Sequence, residues 1–404
     1  MRTPEIPQRQ YRTSEAVTEG HPDKIADQIA DAILDEVLRQ DPVARVALEV
    51  AITGSYVLVA GEVTAAADLA PSRIQDTARA VVADIGYTNR DFGFCAGDCQ
   101  IDVRLRPQWT EIADAVGIRS EAPRDLKAGD QGIMTGYAVA ETAELLPLPI
   151  VLAQRLARRQ AAVRKERIAP YLRPDGKVQV TIEYEDNRPH RVHTLVISAQ
   201  HSPDVSREEL VGGIRRDIVV PVVPPDLMDE GTQLYINPSG SFVVGGPAAD
   251  TGLTGRKLLV DTYGCVAAHG GGSLSGKDPT KVDRSGAYAA RWAAKNLVAS
   301  GLCREAEIQI AYAIGVIEPI IVNVTSHGTG RISDEELRQI VLAVYDFRPG
   351  MIIEALQLRR PIYRSVSVYG HFGRPDLDLP WERLDKVEEI RKIESDLHQS
   401  GTSS

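Results

Sequence analysis

The chain has 404 residues, 43% of them hydrophobic and 25% charged, with a formal net charge of −10. That length predicts two to four domains with an ample core, and the acidic balance argues against nonspecific binding to nucleic acid or an anionic membrane. No apolar run reaches transmembrane length, residues 1–13 do not read as a signal peptide, and the four cysteines (95, 99, 265, 303) read as free buried thiols in a reducing compartment. A cytoplasmic enzyme or binding protein is the class that remains.

In chain order, residues 1–10 read as an unstructured arm. An amphipathic helix is predicted over 24–38, with Ile25, Ile29, Ile33, Val37 and Leu38 on one stripe. Directly before it stands Thr18-Glu19-Gly20-His21-Pro22-Asp23-Lys24. Proline suits a first helical turn and a helix N-terminus favours anions. Taken alone, the segment also fits a plain helix start, and His21 a surface histidine. Strands follow at 45–52 and 56–64, carrying Glu49 and Glu62. A glutamate in an apolar strand needs either a partner or a solvent-facing side. A helix over 71–84 and a strand near Phe92-Gly93-Phe94 come next. A glycine-punctuated turn around Asp130 follows.

This order recurs twice. A helix over 150–165 leads to strands 177–184 and 193–200, a helix over 206–219 and a strand near 236–242. A helix over 285–299 leads to strands 307–314 and 320–325, a helix over 333–344 and a strand near 369–373. Ser206-x-x-Glu209 and Ser333-x-x-Glu336 are capping-box patterns. The expectation is an α+β fold of three similar units, each a layer of helices on a mostly antiparallel sheet. The units are placed at 10–120, 121–243 and 244–385, with a helix end and tail at 386–404. Asp175 and Lys177 lie in Leu172–Lys177, by itself an ordinary tight turn.

The densest chemistry lies between Gly245 and Ser285, where nine glycines alternate with charged residues. From 256 to 284, five cations (Arg256, Lys257, Lys277, Lys281, Arg284) face three acids (Asp261, Asp278, Asp283). Glycine lets backbone amides approach an anion, and the cations supply compensating charge. A polyphosphate bound with a divalent metal suits this mixture. Gly271 to Lys277 has P-loop spacing, but Asp278-Pro279 follows where a P-loop needs Ser or Thr and a helix.

Taken together, these segments resemble the S-adenosylmethionine synthetases, or methionine adenosyltransferases. The resemblance runs from about Arg12 to Leu384 through GHPDKIADQIADA (20–32), GEVT (61–64), AGDQGIMTGYA (128–138), LRPDGKVQV (172–180), DTGLTGRKLLVDTYG (250–264) and HGGGSLSGKDPTKVDRS (269–285). It implies three α+β domains related by pseudo-threefold symmetry. It also implies a homodimer, often paired into a tetramer, with active sites between subunits. The implied substrates are ATP and L-methionine, and the implied ions are two Mg²⁺ per site and K⁺.

Carried over by position, His21 resembles the catalytic histidine, and Asp23 and Asp283 the magnesium ligands. Glu49 matches the potassium-site acid. Glu62, Gln108, Asp250 and Lys281 match methionine contacts, with Asp130 lining the reacting centre. Asp175, Lys177, Ser241, Phe242, Asp250, Arg256, Lys257, Ser273 and Lys277 match the ATP and triphosphate contacts, with Phe242 stacking on adenine. Lys177, Lys277 and Asp130 join His21 in the implied catalytic set.

The chain also departs from the family pattern. Ser241 stands where an arginine is usual, and Gln108-Trp109-Thr110-Glu111-Ile112 stands where the mobile loop usually reads Q-S-P-D-I. Trp109 is a candidate anchor for a closed lid over the site. Two other readings are a divergent member with an altered methionine-analogue preference and a non-catalytic binding paralogue.

Overall fold

The computed structural model describes residues 9–108 and 123–401. The first stretch holds β1 (Arg9–Val17), α1 (Pro22–Gln40), β2 (Arg45–Thr53), β3 (Tyr56–Thr64), α2 (Pro71–Ile85) and β4 (Gln100–Arg106). The second holds β5 (Gly132–Val139), α3 (Leu148–Lys165), β6 (Leu172–Glu185), β7 (Arg188–His201), α4 (Arg207–Ile214) and β8 (Gln233–Ile236). The third holds β9 (Gly252–Leu253), α5 (Val282–Ala299), β10 (Glu305–Tyr312), β11 (Ile321–Thr325), α6 (Asp334–Val344) and α7 (Val387–Gly401). Short helical turns connect them.

The repeat is visible in this order: a strand, a long helix, a hairpin and a second helix, three times over. The hairpins β2–β3, β6–β7 and β10–β11 are antiparallel, whereas β4 and β8 run parallel to β3 and β7. The strand that opens each stretch leaves its own hairpin for another. β1 joins β6, β5 joins β10, and β9 joins β2. The sheets are therefore β4-β3-β2-β9, β1-β6-β7-β8 and β11-β10-β5. This cyclic exchange ties the three stretches together through backbone hydrogen bonds, so none can leave without opening a ladder.

Each long helix lies on the sheet that contains its own hairpin: α1 on β2, α3 on β6 and α5 on β10. The stripe of α1 is fully used, with Ile25, Ile29 and Ile33 wholly buried. Covering one such side chain contributes about 1.5–3 kcal/mol, and truncating it to Ala costs about 2–5 kcal/mol. Ser333 and Glu336 form the complete capping box of α6, and Ser206 Oγ accepts the Glu209 amide at α4.

Four expectations need correction. The aromatic–glycine segments are not strands. Residues 90–92 form a 3₁₀ turn and β4 begins only at Gln100, while β8 ends at Ile236 where the 236–242 segment begins. Residues 369–373 form a buried turn with positive φ at Tyr369, Gly370 and Gly373. That conformation cannot continue a ladder. The helix expected over 206–219 is α-helical only to Ile214 and continues as a π-turn over Arg215–Val219, after two adjacent glycines. Strand β1 begins at Arg9, inside the arm expected to be unstructured. All four cysteines are free, but Cys265 is exposed.

Candidate active site

The helix N-termini of α1 and α5 organise two groups of charged residues. At α1, His21 is the N-cap, and its Nδ1 accepts the Asp23 amide at 3.2 Å. A backbone N–H can only donate, so the neutral imidazole carries its hydrogen on Nε2. Burial, and then the charge of Lys257, lowers the His21 pKa to about 4. At neutral pH the ring is thus a neutral Nε2–H donor. Asp23 accepts the Leu253 amide at 3.0 Å and Lys257 Nζ at 2.5 Å, with Arg256 Nε 3.6 Å away. Burial opposes the charge on Asp23, but the hydrogen bonds from Lys257 and Leu253 outweigh it and lower its pKa.

The 172–177 turn closes on the same loop. Thr18 Oγ1 donates to Pro174 O at 2.7 Å, and a Cβ at Gly20 would fall 2.4 Å from the Pro174 carbonyl carbon. Only glycine permits that approach. Beneath it, buried Asp175 accepts the Gly246 amide at 2.8 Å, and burial pushes its pKa up to about 6. Lys177 pairs with Glu15 at 2.7 Å, and both Lys177 and Asp250 lie close enough to act on the His21 charge. Phe242 is half-buried and Ser241 exposed in the loop beside this group.

At α5, the 276–278 segment runs alongside β2, with Leu48 N donating to Gly276 O at 2.9 Å and Asp278 N to Val46 O at 3.0 Å. Lys277 Nζ pairs with Asp283 at 2.5 Å, and Lys281, the N-cap of α5, pairs with Asp278 at 2.6 Å. The loop of Asp130 leans on this group: a Cβ at Gly129 would lie 3.0 Å from Thr280 O, and one at Gly132 3.5 Å from Asp283 Oδ1. Asp130 itself is exposed and accepts the Gln131 amide at 2.8 Å. Ser273 packs against Gly255, whose Cβ would fall 2.4 Å from the serine Cβ. Among the described residues no ion pair or side-chain hydrogen bond joins Asp23, Arg256 or Lys257 to Lys277, Lys281 or Asp283.

The remaining expected residues sit on the sheet of β2 and β3. Glu49 is exposed and accepts the Thr254 hydroxyl. Glu62, at the end of β3, holds Arg106 through contacts of 3.0 and 2.5 Å. The Gln108 amide donates to Thr64 Oγ1 at 3.1 Å, while its side-chain Oε1 has no hydrogen-bond partner among the described residues. Trp109, Thr110, Glu111 and Ile112 lie outside the described residues.

Sequence reasoning named Asp23 but missed the row of helix acids it belongs to, three of which hold the glycine-rich segment in place. Asp23, Asp27, Asp31 and Asp35 recur every four residues on α1, and all four are buried. Each accepts a backbone amide from a distant part of the chain: Leu253, Gly255, Gly276, and for Asp35 both Tyr363 and Arg364. Lys24 adds ion pairs to Asp27 at 2.9 Å and to Asp261 at 2.5 Å. Burial opposes the Lys24 charge, but Asp261 and Asp27 outweigh it and raise its pKa. The four-residue spacing is legible in the sequence, but it reads as a solvated face until the partners are known.

Asp23 and Asp283 offer hard carboxylate oxygens, the donor type Mg²⁺ prefers. Gly272 keeps open a cradle at Asp283, since a Cβ there would fall 2.1 Å from Oδ1. Among the described residues no three His, Cys, Asp or Glu cluster to hold a metal. The residues therefore fit an ion whose coordination is completed by phosphate oxygens and water. No helix of the described residues is long and apolar enough to cross a membrane.

Residues 9–110 match the family model "S-adenosylmethionine synthetase, N-terminal domain", residues 125–242 the central domain and residues 244–383 the C-terminal domain. An S-adenosylmethionine synthase of Desulforudis audaxviator (strain MP104C) is 54% identical over 386 residues, covering 94% of this chain and 97% of the relative. These matches span nearly the whole chain, and the chain belongs to the S-adenosylmethionine synthetase family.

Proposed function

We propose that the protein is a methionine adenosyltransferase working in the cytoplasm as a homodimer or dimer of dimers. In this reading the α1 group of one subunit and the α5 group of its partner face one another across each active site. The observation that carries it is the acid–lysine pair at each of the two helix N-termini, Asp23 with Lys257 and Asp283 with Lys277. Each half has the charges a triphosphate needs, and a second copy would supply the other half.

The thioether sulfur of methionine attacks C5′ of ATP. A C–S bond forms as the C5′–O bond breaks, and the electron pair leaves with the triphosphate. The sulfur has no proton to lose, so the step requires no base. It requires alignment of sulfur with C5′ and stabilisation of the charge that grows on the leaving oxygen. His21, neutral with Nε2–H available, donates a hydrogen bond towards that oxygen. Lys177, Arg256, Lys257 and Lys277 hold the phosphates, with Asp175 and Ser273 at their edges and Phe242 with Ser241 beside the adenine. Asp250, Glu62, Gln108 and Lys281 hold methionine, and Asp130 lines the reacting centre.

Asp23 and Asp283 would hold two Mg²⁺, and Glu49 a K⁺, which together supply charge neutralisation for the polyphosphate. The retained triphosphate is then hydrolysed to diphosphate and phosphate. Incubating the protein with ATP, Mg²⁺, K⁺ and methionine tests the reading. The expected products are S-adenosylmethionine by mass, with equimolar diphosphate and phosphate. ATP turnover without a sulfonium product would refute it.

A further inference from the structure

The loop carrying Phe242 is held to the end of β7 in an unusual way. His201 N donates to Phe242 O at 2.9 Å, as in an antiparallel ladder. The return bond does not go to the His201 carbonyl. Phe242 N donates instead to the His201 imidazole, at 3.0 Å from Nε2. The other ring nitrogen, Nδ1, lies 2.8 Å from Ser202 O. A carbonyl can only accept and an amide N–H can only donate, so the ring must carry its hydrogen on Nδ1 and present a lone pair at Nε2. The preceding residue completes the bracket. Gln200 is wholly buried, accepts the Asp175 amide at 3.3 Å and donates to Val243 O at 3.1 Å. The Phe242 ring itself lies against Gly245, where a Cβ would fall 2.7 Å from its Cε2.

We infer that His201 and Gln200 are positioning residues for the nucleotide base: they fix Phe242 through its backbone and tie it to the Asp175–Lys177 turn that faces the phosphates. The inference rests on the reading of Phe242 as the adenine platform. Phe242 is half-buried on a loop without a regular ladder; Arg173 Nη1 also holds that loop, donating to Val243 O at 2.8 Å, but only His201 bonds the Phe242 backbone itself. His201 supplies one acceptor for the Phe242 amide, and Gln200 sets the distance between the base end and the phosphate end of the nucleotide. Reach matters, because a glutamine can place an acceptor near the position of Nε2, whereas an asparagine places it nearer Nδ1.

The test is calorimetric binding to the full-length assembled protein with Mg²⁺ present. One ligand is a non-hydrolysable ATP analogue, and the other is inorganic triphosphate, which has no base. His201→Asn is expected to weaken the ATP analogue about tenfold, as for loss of one buried neutral hydrogen bond, and to leave triphosphate binding unchanged. His201→Gln is expected to recover most of that loss. Equal weakening of both ligands by His201→Asn, or no weakening of either, overturns the inference. Phe242→Ala separates the premise from the conclusion. If it leaves the ATP analogue unaffected, the platform reading falls and the inference with it; if it weakens the analogue while His201→Asn does not, only the positioning role falls. Nitrogen-15 NMR of the unmodified protein provides a readout that needs no variant, since His201 must appear as the Nδ1–H tautomer.

Discussion

Asp31 and Arg284 meet in a two-pronged ion pair, with N···O distances of 2.8 and 2.7 Å and neither side chain exposed. The same carboxylate accepts the Gly276 amide at 2.8 Å, one residue before Lys277. The guanidinium also lies 4.2 Å over the Tyr363 ring. One buried contact therefore joins α1, the glycine-rich segment and the start of α5.

Removing one partner leaves the other charged in the core. Asp31→Ala is expected to destabilise the protein by about 3–5 kcal/mol in urea unfolding. Asp31→Ala combined with Arg284→Met should cost clearly less than the sum of the two single changes. Strict additivity would show that the pair is not coupled.

Lys277 stands where leaving-group charge grows in the proposed reaction. Lys277→Ala is expected to lower kcat by roughly two orders of magnitude, with a smaller rise in the KM for ATP. An unchanged kcat with a large rise in KM would assign the lysine to uniform binding of ground and transition states.

The two half-sites predict complementation between chains. His21 caps the α1 half of the proposed site and Lys277 belongs to the α5 half. The informative mixture is therefore His21→Ala with Lys277→Ala, each inactive alone. After subunit exchange, half the molecules would be hybrids with one intact site of two, giving roughly a quarter of wild-type activity. Hybrids seen by native mass spectrometry but without activity would rule out a shared site.

Asp175 carries a pH signature. Burial raises its folded pKa from 3.8 to about 6, so between these values the folded protein holds a proton that the unfolded chain has lost. The stabilising contribution is full below about pH 4 and disappears as pH rises through about 6. The stability of Asp175→Asn relative to wild type should consequently rise between pH 4 and pH 8, by on the order of 3 kcal/mol. A difference that stays flat with pH would show that Asp175 titrates at its ordinary value.

Local signals in the chain determined the three long helices, the three hairpins and the candidate residues around His21 and Lys277. The 3.6-residue period of Ile25, Ile29 and Ile33 and the strand runs at 45–52 and 56–64 report on neighbours along the chain, and the folded protein keeps them. The family blocks supplied the candidate site residues because these sit in short contiguous segments. Only the tertiary structure decided the exchange of β1, β5 and β9 among the sheets, since strand pairing joins residues such as Arg9 and Glu185 that no local period relates. It also decided that Asp27, Asp31 and Asp35 are buried while Glu49 and Glu62 face outward on their strands or contact exposed Arg106. An acid's position along a helix sets which way it points, but whether burial is tolerated depends on amides and cations brought from more than two hundred residues away.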